Sequence, residues 1–529
     1  NALLKKTKNL HSAQTGLGKI IGFNLEEKSA FVPAYIRRSN PPYNLYRADL
    51  DSGRGFIYEH GKTTTKNWFV NSAGEVIARV DLLQRSNLYQ VWSKLSGDWK
   101  KVFELESEIP EANSLAVGSD EKSLLIIKEN SRVSGIFSIN LENGSVNGPL
   151  YDHTDADIDG LILDRNRKLV AVQYSGFKPS YHFIDPAIAD VYDDIEQQFP
   201  TSSVYLKSFS EDRQSLIFFI TGPESPASYY LYRKESNNLS LLASQYDVPS
   251  IAPIKAIRYP ARDGLKIPAI LTLPTNIEPK SLPLIALPHG GPETYDNIQF
   301  NWLAQYLAAK GYAVLQPNFR GSHGFGYDFK YAGRGQWGRK MQNDITDGIN
   351  TLIKSGYADP DRICILGLSY GGYAALAGGA FSPDLYRCVI ATNGISDLPL
   401  MLQTKTRRSG SHHWAISYWR DLIGDDREEL EKLELISPVN FAKNFKAPVL
   451  LLHSEKDSIV PSDQSEDMYD ELKRADKPVT FVTLNDEDHW LSTTKGRLQF
   501  LTAIDKFLNR FNPATSVPSA EPSTAPNSN

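Results

Sequence analysis

The chain has 529 residues, 57 Lys+Arg against 62 Asp+Glu, and a formal net charge of −5. That length exceeds one ordinary core and implies two or more domains, and 41% hydrophobic with 22% charged residues marks a globular chain. The mild acidity argues against nucleic acid as a partner, because phosphate neutralisation needs clustered Lys and Arg, and no apolar run approaches the ~18 residues of a membrane-spanning helix.

The two cysteines, Cys364 and Cys388, are too few for a disulfide framework or a thiolate zinc site. Both lie in apolar strand-like runs and are read as inert buried thiols. The first residue is Asn1, so a signal peptide is left open, and with it the choice between cytoplasm and periplasm.

To about residue 255 the chain reads as short strands separated by turns. A turn followed by a buried strand recurs at Glu27–Val32, Ala73–Ala78, Asp120–Ile127, Asn166–Val172 and Asp212–Phe219. After each comes a second strand with a ring near its start: Tyr46, Tyr89, Phe137, His182 and Tyr232. These rings stand roughly 45 residues apart, which is the period of a β-propeller blade. One blade cannot bury both faces of its sheet, whereas a ring of blades does. Five repeats are visible, and one or two more are expected upstream of Asn1. A β-sandwich is the alternative.

From residue 256 to 511 strand-like runs alternate with helical ones, the pattern of a mostly parallel, doubly wound sheet covered on both faces. The strands include Leu284–Leu287, Ala313–Leu315, Ile363–Leu366, Val389–Ala391, Val449–Leu452 and Val479–Val482; helical stretches include Trp302–Lys310, Asp344–Lys354, Asp463–Lys473 and Arg497–Asn509. Residues 512–529 are rich in Pro, Ser and Thr and are expected to be a disordered tail.

The sharpest motif is Gly367-Leu368-Ser369-Tyr370-Gly371-Gly372, between a strand and a small-residue helix. Glycines there permit a sharp strand-to-helix turn that lifts Ser369 Oγ to the open end of the sheet, with helix N-terminal amides aimed at the same point. A serine nucleophile needs a base, and the base an orienting carboxylate, in the order Ser, Asp or Glu, His for an α/β-hydrolase. Asp457, in His453-Ser454-Glu455-Lys456-Asp457, and His489, in Asp486-Glu487-Asp488-His489, both follow strands and complete the triad, with Glu455 the neighbouring acid. The oxyanion donors are placed at the backbone amides of Tyr370 and of Gly291, in His289-Gly290-Gly291-Pro292. No cofactor or metal is called for. Asp155, Asp157 and Asp159 read as a solvated acidic turn, and Lys405–His413 as an exposed loop near the pocket.

The set His289-Gly290-Gly291-Pro292, Asn318-Phe319-Arg320-Gly321-Ser322-His323-Gly324-Phe325-Gly326, Gln336-Trp337-Gly338, the Ser369 motif and Val460-Pro461 resembles the prolyl oligopeptidase family of serine peptidases, in its acylaminoacyl-peptidase and dipeptidyl-peptidase-like bacterial branch. The resemblance covers about residues 255–510. It implies an α/β-hydrolase domain preceded by a β-propeller that admits short peptides and excludes folded proteins. It departs from the family at Ser454, where the family usually has Gly; a positive φ there would shift the Asp457 loop. A carboxylesterase or amidase acting through the same triad, and a propeller module with an inactive hydrolase, are the competing readings. Exopeptidase or endopeptidase action and homo-oligomerisation are left open.

Overall fold

The computed structural model describes residues 20–35, 41–83, 86–106, 112–130, 133–411, 413–425 and 430–514. Residues 1–19 of the expected propeller, His412 and the tail beyond Ala514 lie outside the described residues.

Five antiparallel meanders follow one another in the N-terminal half, each with strands in chain order. They start at Gly22–Asn24, Thr65–Val70, Ala112–Val117, Ile158–Leu163 and Ser203–Phe209; the fourth has three strands and the others four. Tyr46, Tyr89, Phe137, His182 and Tyr232 all fall on the third strand of their sheet. Neighbouring sheets share cores. Phe31 and Leu45 meet Trp68 and Val70 between the first two. Phe69 and Val80 meet Leu124 and Ile126 between the second and third. Ala116 and Ile136 meet Ile158 and Val172 between the third and fourth.

The core between the fourth and fifth sheets contains a helix, Pro186–Gln198, that the strand pattern did not announce. Pro186 opens it and Asp185 caps it, accepting from Ala187 N at 3.1 Å. Its buried Ile188, Val191 and Ile195 recur at helical spacing. His182 is exposed, and its neighbour Tyr181 packs against Phe183 and Tyr192 instead.

The C-terminal half is built on one eight-stranded sheet. Its strands, numbered here within that sheet, are β1 (Ile254–Pro260), β2 (Lys266–Thr272), β3 (Leu282–Ala286), β4 (Ala313–Pro317), β5 (Ala358–Leu368), β6 (Cys388–Thr392), β7 (Val449–Ser454) and β8 (Val479–Leu484). Their spatial order is β1-β2-β4-β3-β5-β6-β7-β8. β1, β2 and β4 pair antiparallel, and every pairing from β4–β3 onwards is parallel.

Alternate residues of the central strands enter two cores. Leu284, Ile363, Ile365 and Val389 face helices α2 (Lys340–Lys354), α3 (Tyr370–Phe381), α4 (Leu398–Ser409) and α6 (Asp463–Arg474). Ile285, Leu366 and Ile390 face α1 (Trp302–Ala309) and α7 (Thr494–Phe511). Another helix on the first of these faces, α5 (Trp414–Ile423), packs beside α4. Both faces are covered, which accounts for near-continuous apolar strands rather than alternating ones.

Three readings of the sequence are corrected. Cys364 and Cys388 are joined as a disulfide. They are direct partners in the parallel β5–β6 register, both on the α1/α7 face, with Cα atoms 4.7 Å apart. That adjacency depends on strand pairing, which spacing along the chain does not reveal. Lys405 to Ser409 belong to α4 and are not a loop. Asn512 is buried, with Tyr312 Oη donating to its carbonyl at 2.7 Å, so ordered chain continues past residue 511. Among the described residues no helix is long and apolar enough to cross a membrane.

Candidate active site

β5 ends at Leu368, and α3 begins at Tyr370. Ser369 between them has φ 58° and ψ −120°, a strained conformation for a residue with a side chain. Its N–H is held by Thr392 O on β6 at 3.0 Å, and its carbonyl accepts from Tyr373 N at 3.1 Å. The flanking glycines are steric necessities. A Cβ at Gly367 would stand 2.0 Å from Gly371 O, and one at Gly371 2.2 Å from Pro288 O. The elbow is therefore pressed against both its own helix and the loop after β3.

That loop carries His289 to Pro292. A Cβ at Gly290 would lie 3.5 Å from Ser369 Cβ, so the backbone at Gly290 runs beside Ser369. His289 anchors it: the ring stacks on Phe319 with centroids 4.4 Å apart, and Nε2 is 3.0 Å from Ser322 Oγ. Burial pushes this imidazole down to about 4, against the opposing pull of the Gly290 carbonyl, so it stays neutral near pH 7. Phe319 continues the stack to Tyr370, at 5.0 Å.

Asp457 and His489 come together from the loops after β7 and β8. Asp457 Oδ2 accepts from His489 Nδ1 at 2.6 Å, and their side chains are 1% and 7% exposed. Asp457 Oδ1 accepts from Ile459 N at 2.7 Å and Val460 N at 2.9 Å. Burial works against the charge, but the His489 hydrogen bond and these two amides outweigh it and hold the carboxyl below the usual range. Glu455 is exposed and caps Asp486 N at 2.8 Å, away from His489. Ser454 is not in the left-handed region: it closes β7, and its N–H donates to Asn393 Oδ1 at 2.8 Å. The Ser-for-Gly difference therefore requires no displacement of the Asp457 loop.

Sequence reasoning missed Asn393. It follows β6 with φ 48°, and its Nδ2 reaches both Ser454 Oγ at 3.0 Å and His489 O at 3.2 Å. One buried amide thus ties the end of β6 to the end of β7, ahead of Asp457, and to the backbone of His489. An Asn-Gly pair after a buried strand was the available signal.

The acidic turn is corrected as well. Asp155 is exposed, but Asp157 is 1% exposed and its Oδ2 accepts from Gly324 N at 2.6 Å. Asp159 Oδ2 accepts from Tyr295 Oη at 3.0 Å. His323 sits between them, 3.4 Å and 3.7 Å from the two carboxylates. These propeller residues grip the loops that follow β3 and β4. Among the described residues no group of three or more His, Cys, Asp or Glu could hold a metal ion.

Residues 298–513 match the prolyl oligopeptidase family. The chain is 28% identical over 492 residues to dipeptidyl aminopeptidase BIII of Pseudoxanthomonas mexicana, covering 88% of this chain and 69% of that protein. It is 27% identical over 392 residues to dipeptidyl peptidase family member 6 of Caenorhabditis elegans, covering 68% of this chain but about half, 52%, of that protein. The fold resembles an acylaminoacyl peptidase of Pyrococcus horikoshii with a TM-score of 0.73 at 20% identity, over 96% of this chain and 84% of that one.

Proposed function

We propose, from the match of residues 298–513 to the prolyl oligopeptidase family and the similarity to a dipeptidyl aminopeptidase, that the chain is a serine peptidase of that family and hydrolyses short peptides through an acyl-enzyme on Ser369. His489 takes the Ser369 proton as Oγ attacks the scissile carbonyl, and returns it to the leaving amine. Asp457 holds the imidazole in the tautomer with Nδ1 protonated, leaving Nε2 free to accept. The amides of Tyr370 and Gly291 receive the developing oxyanion. Water then enters by the same base and frees the acid product. The propeller precedes Ile254, where the first strand of the hydrolase sheet begins, and the hydrolase extends through the buried Asn512.

The observation that carries this reading is the buried 2.6 Å Asp457–His489 pair at the strand ends that also present Ser369 on its positive-φ turn. The test is a peptide-library digest read by mass spectrometry, beside p-nitrophenyl esters and with fluorophosphonate labelling. Labelling at Ser369 and cleavage of peptides of a few residues are expected, with products naming the terminus recognised. Ester turnover with no peptide cleaved would overturn the peptidase reading, and a Ser369→Ala variant of wild-type turnover would overturn the triad.

A further inference from the structure

The loop that carries Asp457 is held from outside by two cations that contact neither Asp457 nor His489. Lys405 Nζ, on α4, donates to Ile459 O at 3.0 Å. Arg408, one turn further, donates from Nη1 to Ser458 O at 2.9 Å. The carbonyl of Ser458 and the N–H of Ile459 are two ends of one peptide group, as are the carbonyl of Ile459 and the N–H of Val460. Those two N–H groups are the ones that donate to Asp457 Oδ1, at 2.7 Å and 2.9 Å. Each cation therefore polarises, through a single peptide unit, an amide bound to the orienting carboxylate. Chained hydrogen bonds strengthen one another in this way in a partly desolvated setting.

We propose that Lys405, with Arg408 as its weaker companion, is a positioning residue for the hydrolytic triad, acting on Asp457 through two polarised peptide groups. This rests on the triad reading above. Lys405 is half-buried with its ammonium 5.7 Å from the Trp419 ring, whereas Arg408 is exposed, so the larger share falls to Lys405. The groups facing Lys405 are Arg408 on its own helix, Trp419 on α5, the Ile459 carbonyl and the Asp457 charge across the loop. Burial pushes the Lys405 ammonium down, Arg408 adds to this, and Asp457 opposes it. Those facing His489 are Asp457, His453 and Asp488.

Two effects separate by substitution. The hydrogen bond fixes the loop, and the charge withdraws electron density from Asp457 and disfavours a cation on the neighbouring imidazole. Lys405→Gln keeps a donor and loses the charge, Lys405→Met loses both, and Lys405→Arg keeps both. With a peptide p-nitroanilide, Lys405→Met should lower kcat roughly tenfold with KM within about twofold, as expected for a misplaced catalytic group. In both Lys405→Met and Lys405→Gln the acid limb of the kcat/KM profile should move to higher pH by roughly half a unit, the scale of one partly screened charge. Lys405→Arg should match wild type. An acid limb unmoved in Lys405→Gln, or a rise in KM alone in Lys405→Met, overturns the proposal. Failure of the triad reading is distinguishable, since it shows as turnover retained by Ser369→Ala in the same assay.

Discussion

Replacing Asp457 by Asn tests the acid assignment most sharply, because the geometry decides which way the new amide turns. Asp457 Oδ1 receives two backbone N–H groups and Oδ2 receives the His489 Nδ1–H. In Asp457→Asn the amide oxygen must take the Oδ1 position. The flipped rotamer would set NH₂ against two N–H donors in a site 1% exposed, at a cost of about 1–3 kcal/mol for each orphaned donor. The NH₂ therefore points at Nδ1, which becomes an acceptor. The ring proton moves to Nε2, and the imidazole can no longer take a proton from Ser369. Wrong-tautomer variants of this kind lose on the order of 10⁴ in kcat, about 5.5 kcal/mol of barrier. The assay is kcat/KM on a peptide p-nitroanilide together with the rate of fluorophosphonate labelling, which should fall in parallel. Glu455→Gln is the control and should stay within about twofold, because Glu455 is exposed and only caps Asp486 N. Loss below tenfold in Asp457→Asn, with a large loss in Glu455→Gln, would refute the reasoning and move the acid to Glu455.

Arg320→Met should destabilise the hydrolase domain by about 3–5 kcal/mol, because it strips Asp344, fully buried and held by Arg320 Nε and Nη2 at 2.8 Å each, of its partner; an unfolding free energy from urea melts lowered by less than about 1 kcal/mol would contradict it. Asp296 supplies a pH test. Burial pushes its carboxyl up to about 7, with Gln316 opposing, so the folded state holds a proton that the unfolded state releases from about pH 4. That contribution is fully present below the unfolded pKa and is lost as pH rises through 7, up to about 4 kcal/mol at most. Asp296→Asn should therefore gain on wild type between pH 4.5 and pH 8 in urea melts, and an equal difference at both pH values would count against it.

What was readable in the chain was local or ordered. The Ser369 elbow needs glycines within two residues of the nucleophile, and the steric contacts at Gly367 and Gly371 explain why. Asp457 and His489 followed from the strand-then-loop order of the sheet. The third-strand rings were visible because each blade must fill the same space against its neighbour, and the rule slipped at His182 where a helix enters the core. What stayed hidden was set by pairing across distance. Cys364 and Cys388 meet only through the β5–β6 register. Asp157 finds Gly324 N across 167 residues. Lys405 and Arg408 bond backbone carbonyls, for which no side-chain motif exists. β1 and β2 precede the alternating strand–helix pattern and pair antiparallel, so alternation did not reveal them.

These long-range contacts change what the propeller is for. The segment just after Gly291-Pro292 is laid against the fourth and fifth meanders. Ile298 N donates to Phe177 O at 2.8 Å, Asn297 Nδ2 to Tyr205 Oη at 2.8 Å, Phe300 N to Thr221 Oγ1 at 2.9 Å, and Ser203 Oγ to Ile298 O at 2.5 Å. Tyr295 and Gly324 add the Asp159 and Asp157 contacts. Five hydrogen bonds from the propeller side thus fix the stretch whose upstream end carries a proposed oxyanion donor, and a sixth, at Gly324, holds the loop after β4. A β-domain that served only to sieve substrates would need no such grip on a loop of the hydrolase. Because backbone amides at Ile298, Phe300 and Gly324 take their partners from the other domain, separating the two domains would remove the contacts that order these loops beside the site. The propeller thus completes the scaffold on which the backbone at Gly290 lies against Ser369.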